Sequence, residues 1–209
     1  MIIRSVMFAF ILATSTAAMT GCDLADKGVA KYDTLVDKDE ACTAVWGDYE
    51  SNLQRRSDMI PQLVSVVKGS AAHESSTLAA VTQARADASK IVLNRSSGDF
   101  EDAKKFAEYQ AAQSKVHTTF QQLQEQYPTL QANAAFRDLQ VQIEGTENRL
   151  LRSREQYNKA VLAFNTELRH VSGKVINPIT GHEFRPRAYF AADESAKVAP
   201  KINFDTPGK

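Results

Sequence analysis

Cysteine is nearly absent: the 209 residues hold two, Cys22 and Cys42, so no disulfide framework stands in for a core. Histidine is scarce too. His73, His117, His170 and His182 never fall at metal-ligand spacing, and "HESST" and "HEFRP" each lack the second histidine of a zinc-binding helix. They are expected to be surface or hydrogen-bonded side chains, and no metal or cofactor is expected. No Gly-rich phosphate loop, G-x-S-x-G elbow or Cys/His nucleophile arrangement occurs, so the expectation is a protein without enzymatic activity. Charge of one sign is missing as well: 25 Lys and Arg balance 25 Asp and Glu. Such a chain carries no basic field to attract nucleic acid or anionic lipid.

Long apolar runs are also lacking. The longest, "VMFAFILATSTAAM", spans about 14 residues after Arg4, short of the roughly 20 that a membrane-crossing helix needs. It reads as a secretory leader with a small-residue site before Cys22. Small residues ahead of a cysteine resemble a bacterial lipobox, where a diacylglycerol thioether forms on the cysteine and cleavage makes it residue one. Met19 stands where that pattern usually has Leu. A plain signal peptide with an incidental cysteine, or an uncleaved anchor, are the alternatives. On the lipoprotein reading, residues 1–21 are the signal peptide, Cys22 bears acyl chains such as palmitate, and residues 22–30 form a linker. Several chains on one residue hold a protein at a membrane surface without spanning it. Asp23 resembles the aspartate that retains lipoproteins in the inner membrane of enteric-type bacteria, which favours that membrane, with the protein facing the periplasm or outer surface.

With Cys22 modified, only Cys42 is left, and stability must come from packing across about 188 residues, enough for one sizeable core. Removing the leader takes away Arg4 and leaves a net charge of about −1.

What is abundant is helical periodicity. Tyr32, Leu35, Cys42, Trp46, Tyr49, Leu53, Ile60, Leu63 and Val67 recur at spacings of three and four, a helix with one buried face. Cys42 lies on that stripe as a small buried hydrophobe. Pro61 interrupts it without breaking the phase, which predicts one kinked helix ending at Gly69. An alanine-rich helix is predicted over about 71–95, broken by "NRSSGD". A third opens with Asp99 as N-cap and Asp102 in its first turn, carries Phe106, Val116, Phe120 and Leu123, and stops at Pro128. The fourth holds Phe136, Leu139, Ile143, Leu150, Tyr157, Val161, Phe164, Leu168 and Val171 on one stripe for about ten turns, implying an elongated bundle over residues 31–172. Residues 173–209 read as an irregular tail.

One polar constellation stands out. Glu147, Arg154, Asn158 and Asn165, separated by seven, four and seven residues, share one narrow stripe beside the apolar one. Arg56 and Asp39 occupy the core-facing phase of the first helix. These residues read either as a polar groove or proton path, or as an inter-helix network that sets register; the second is the expectation. In the tail, Phe184, Tyr189, Phe190 and Phe204 lie among prolines in a segment without a core of its own. They either dock on the bundle or await a partner that binds an extended segment.

"QRRSDMIPQLVSVVKG", "HESSTLAAVTQARA", "YPTLQANAAFRDLQ", "EGTENRLLRSREQYNKAVLAFN" and "PKINF" together resemble the LemA family of bacterial membrane-anchored proteins, in order and at similar spacing over about residues 30–205. The resemblance implies an all-α, antiparallel four-helix up-and-down bundle. Many members carry a transmembrane helix where this chain has its lipobox-like leader. It implies little biochemistry: a scaffold or interaction module of the cell envelope with unidentified envelope partners, or else a membrane-remodelling factor acting directly on lipid. Oligomeric state is left open.

Overall fold

The computed structural model describes residues 2–69, 75–127, 130, 132–170 and 184–191, with side chains described from residue 27 and, in the second helix, from residue 78. Four α-helices follow one another: α1 (Ile2–Gly69), α2 (Ser75–Lys90), α3 (Ala103–Gln126) and α4 (Ala134–Arg169), with a short 3-10 turn at Arg95–Ser97. The chain is all-α, a helical bundle, and it divides into two compact units to which α1 and α4 both contribute.

The first unit contains α1 up to Asp48, α4 from Glu155, and the tail to Arg187. Here α1 and α4 run antiparallel, as the edge-to-face pair Trp46–Tyr157 and the ion pair Lys31–Glu167 establish. Two helices alone leave their buried stripes half covered. Phe184 of the tail closes the gap, its ring 5.9 Å from that of Tyr32 and 6.1 Å from that of Phe164. Cys42 is fully buried in its expected place.

The second unit holds the rest of α1 and α4 with α2 and α3. Its core gathers Ile60, Leu63 and Val67 from α1, Leu78, Val81 and Ala84 from α2, Val116, Phe120 and Leu123 from α3, and Phe136 and Ile143 from α4. The small residues of α2 let it lie close, and Arg85 donates to Ser57 Oγ across the contact at 2.8 Å. The paired contacts Asn52–Ser153 and Arg56–Glu147 show α1 and α4 antiparallel here too.

Several boundaries differ from the sequence-based expectation. Residues 22–30, expected as a linker, lie within the helical backbone of α1. In agreement with the unbroken apolar phase, α1 continues through the exposed Pro61 as one helix and ends at Gly69. α2 stops at Lys90 rather than near 95: beyond it, β-branched Ile91 and Val92 give way to Asn94, whose side chain accepts from Ser96 N and caps the 3-10 turn instead. The N-cap of α3 is Asp102, which accepts from Lys104 N and Lys105 N, and not Asp99. Asp99 instead accepts from Asn94 N and pairs with Lys105 Nζ at 2.7 Å, tying the loop to the helix start. Asn133 caps α4 through Ala135 N and Phe136 N. Cys22 and Asp23 fall in the backbone of α1 with their side chains outside the described residues; His73, Val171, Gly173, His182 and Phe204 also lie outside them.

The loop before α3 turns on Gly98, at φ +72°, in the left-handed region. Gly98→Ala meets no steric obstacle nearer than 3.6 Å, so its cost is backbone strain alone, about 1–2 kcal/mol. A fall of about 2–8 °C in Tm is expected by circular dichroism.

Candidate functional site

In the second unit the polar stripe of α4 meets α1 and α3. Arg56, buried in the core-facing phase of α1, donates to Glu147 Oε1 at 3.3 Å and to Gln113 Oε1. His117 Nδ1 lies 3.5 Å from the second Glu147 oxygen and becomes its ion-pair partner when protonated. Burial raises the Glu147 carboxyl, but His117 and the Arg56 guanidinium outweigh it and hold the pKa below the ordinary value. About two turns of α1 before Arg56, the Tyr49 ring packs on that of Tyr109 at 6.5 Å. Burial pushes the Tyr49 hydroxyl up to about 12 and raises that of Tyr109 further, so both stay protonated as hydrogen-bonding groups.

The tail reaches this unit at residues 188–191. Phe190 enters an aromatic box, with the Tyr49 and Phe106 rings each 4.9 Å away and the Arg154 guanidinium 5.0 Å over its face. Ala188 N donates to Phe100 O at 2.7 Å. Ala191 is then gripped through its backbone: its N–H donates to Gln110 Oε1, and its carbonyl accepts from Gln110 Nε2 and from Arg154. Beside this grip opens a groove of about 510 Å³ with walls from α3 and α4 and Arg56 at its floor. Gln113, His117, Thr118, Glu147, Leu151 and Arg154 line it.

In the first unit a second side-chain amide grips the tail in the same manner. Asn165 Oδ1 accepts from Arg187 N and its Nδ2 donates to Arg187 O, both at 2.9 Å. The Arg187 side chain, 3% exposed as a residue, then forks onto Asp39 Oδ1 from Nε and Nη2 at 2.8 and 2.7 Å, while its guanidinium lies 5.9 Å from the Phe164 ring centre.

The residues expected on one stripe are therefore sorted. Glu147 joins Arg56, Arg154 joins the tail and the groove, Asn165 grips Arg187, and Asn158 lies half-buried between them along α4. Both Phe184 and Phe190 are buried on helices, whereas Tyr189 is exposed. Sequence reading passed over Gln110, Gln113 and His117 as a set, although they and Gln121 recur at spacings of three, four and four along α3. That is a polar stripe legible by the same arithmetic as the one on α4. Arg187 gave no signal, since arginine is among the residue types least often buried. Among the described residues no group of three or more His, Cys, Asp or Glu is placed to hold a metal ion.

Comparison with known families matches residues 45–204 to the model described as the LemA family. The match takes in Arg56, Glu147, Asn165 and Arg187 and leaves Cys22 outside it. Among curated proteins no match is found.

Glu147→Gln is expected to lower stability by about 1.5–3 kcal/mol, the worth of hydrogen bonds to a charged group. Because the folded-state pKa of Glu147 is depressed, its contribution is fully present above the ordinary value of 4.5 and is lost as pH falls through the lower folded value. Thermal melts should accordingly show the gap between wild type and variant at pH 7 and its closure in acid below pH 4.5. Arg187→Met strands the buried Asp39 carboxylate and should cost about 3–5 kcal/mol in urea unfolding, part of it recovered in the double variant Asp39→Leu/Arg187→Met.

Proposed function

The chain belongs to the LemA family, and from that premise we propose that it is a non-enzymatic, lipid-anchored interaction or scaffold protein of the bacterial cell envelope. The observation that carries the reading is the groove between α3 and α4. Its lining includes an ion pair held on three helices, together with Gln110 and Arg154, both of which are engaged by the tail backbone, so these side chains are positioned before anything binds. A preorganised polar groove of this size suits recognition, because little ordering entropy is lost on binding.

Attachment in this reading belongs to Cys22. The apolar leader and small residues before it support lipidation, and Asp23 supports retention at the inner membrane, with the bundle facing the periplasm. Among the described residues, no helix is long and apolar enough to cross a membrane.

Two measurements on the full chain in its host test the reading. Intact mass should show loss of residues 1–21 and acyl chains on Cys22, and Cys22→Ala should leave the leader uncleaved; an unmodified cysteine refutes the anchor. A photo-crosslinker at Thr118, on the groove wall, should yield discrete protein adducts. Adducts to lipid alone would overturn the scaffold reading in favour of direct action on the membrane.

A further inference from the structure

The groove's charge is uneven in a way the chain as a whole is not. Its charged lining consists of Arg56, Arg154, Glu147 and, when protonated, His117, in a protein of formal net charge zero. Glu147 is already neutralised by Arg56 at 3.3 Å, with His117 at 3.5 Å. Arg154 remains the cation without a carboxylate partner among the described residues. It is nonetheless held still: one Nη2 contact goes to Ala191 O at 2.9 Å, and the Phe190 ring lies under its plane. A guanidinium carries five donors in a rigid fork, so most of them stay available to a ligand. Gln113 accepts from Arg56 through Oε1, which orients its Nε2 amide as a further donor in the same lining.

From this we propose that the groove binds a small carboxylate-bearing ligand, with Arg154 as the anchor of the carboxylate and the Gln113 amide as a second donor. A planar carboxylate fits a single guanidinium that has no carboxylate partner among the described residues and has donors beyond the one given to Ala191 O. A phosphate, with more charge and three oxygens, calls for further cations, and among the described residues no lysine lines the groove. Polar groups around the anchor, Ser114, Thr118, Gln121 and Asn148, suit a ligand with hydroxyl or amide substituents. The volume of about 510 Å³ lies in the range of small-molecule sites. The inference rests on the groove being a recognition surface and specifies the chemistry it recognises.

The test is titration of the full chain in detergent with succinate, followed by nuclear magnetic resonance at the Arg154 Nε–H and the Gln113 side-chain amide. Saturable shifts at both groups are expected, weakened about tenfold or more by Arg154→Gln. Because Arg154 also touches Phe190 and Ala191, a second variant leaves those contacts intact. Leu151 lines the groove, is 54% exposed, and lies three residues before Arg154, so Leu151→Glu supplies a carboxylate to the guanidinium from within the chain. Leu151→Glu should abolish the succinate response with Tm retained, and Leu162→Glu, on an exposed residue of α4 outside the groove lining, should preserve it. Shifts that never saturate, that survive Leu151→Glu, or that inorganic phosphate reproduces more tightly overturn the carboxylate assignment. If protein adducts at Thr118 persist alongside such a result, the ligand chemistry alone is wrong; if they vanish too, the groove is no recognition surface.

Discussion

An extended chain laid on helices has no ladder to satisfy its backbone, and the ordering of this tail depends on how that need is met. Two side-chain amides meet it, each taking the N–H and the C=O of one residue: Asn165 for Arg187 and Gln110 for Ala191. A buried peptide group without a partner costs about as much as a lost hydrogen bond, so the Asn165 grip is what allows Arg187 to be buried, while the Gln110 grip holds the exposed Ala191 just beyond Phe190. Phe184, Arg187 and Phe190 then enter their positions as a consequence. The first unit gains the third wall that its helix pair lacks, and the second gains the aromatic seat that holds Arg154.

The same logic governs the polar residues. Asp39 and Arg56 occupy core positions of α1 where apolar side chains would stabilise without conditions. Each instead demands a specific partner from elsewhere in the chain, Arg187 for one and Glu147 with Gln113 for the other. Such pairs add little net stability over apolar packing but penalise any register that separates them.

How much of this could be read beforehand follows from what periodicity encodes. The buried faces of α1 and α4 were legible for most of their stripe residues, Tyr32 and Leu53 being only half-buried, because a stripe repeated over many turns averages out local exceptions such as Pro61. The Glu147, Arg154, Asn158 and Asn165 stripe was legible for the same reason. Its partners were not: they come from α3 and from the tail, and a helical repeat says which face a residue occupies without saying which element meets it. α2 was drawn too long because Ile91, Val92 and Leu93 continue an apolar run, while the cap at Asn94 withdraws the chain into a loop. The two fates open to the tail aromatics could not be separated from composition. What separates them is the Asn165 and Gln110 amides, which look like ordinary polar surface in a helical sequence.

The Arg187–Asp39 pair joins residues 148 positions apart. As the chain leaves the ribosome, the buried face of α1 precedes by well over a hundred residues the tail segment that covers it. The first unit therefore cannot be completed before residues 184–187 have emerged. Its contacts are of the long-range kind that form slowly, after loop-closure entropy has been overcome. Until residues 184–187 have been made, the α1–α4 pair of this unit lies open along one side, and Asp39 waits without the guanidinium that it takes from Arg187.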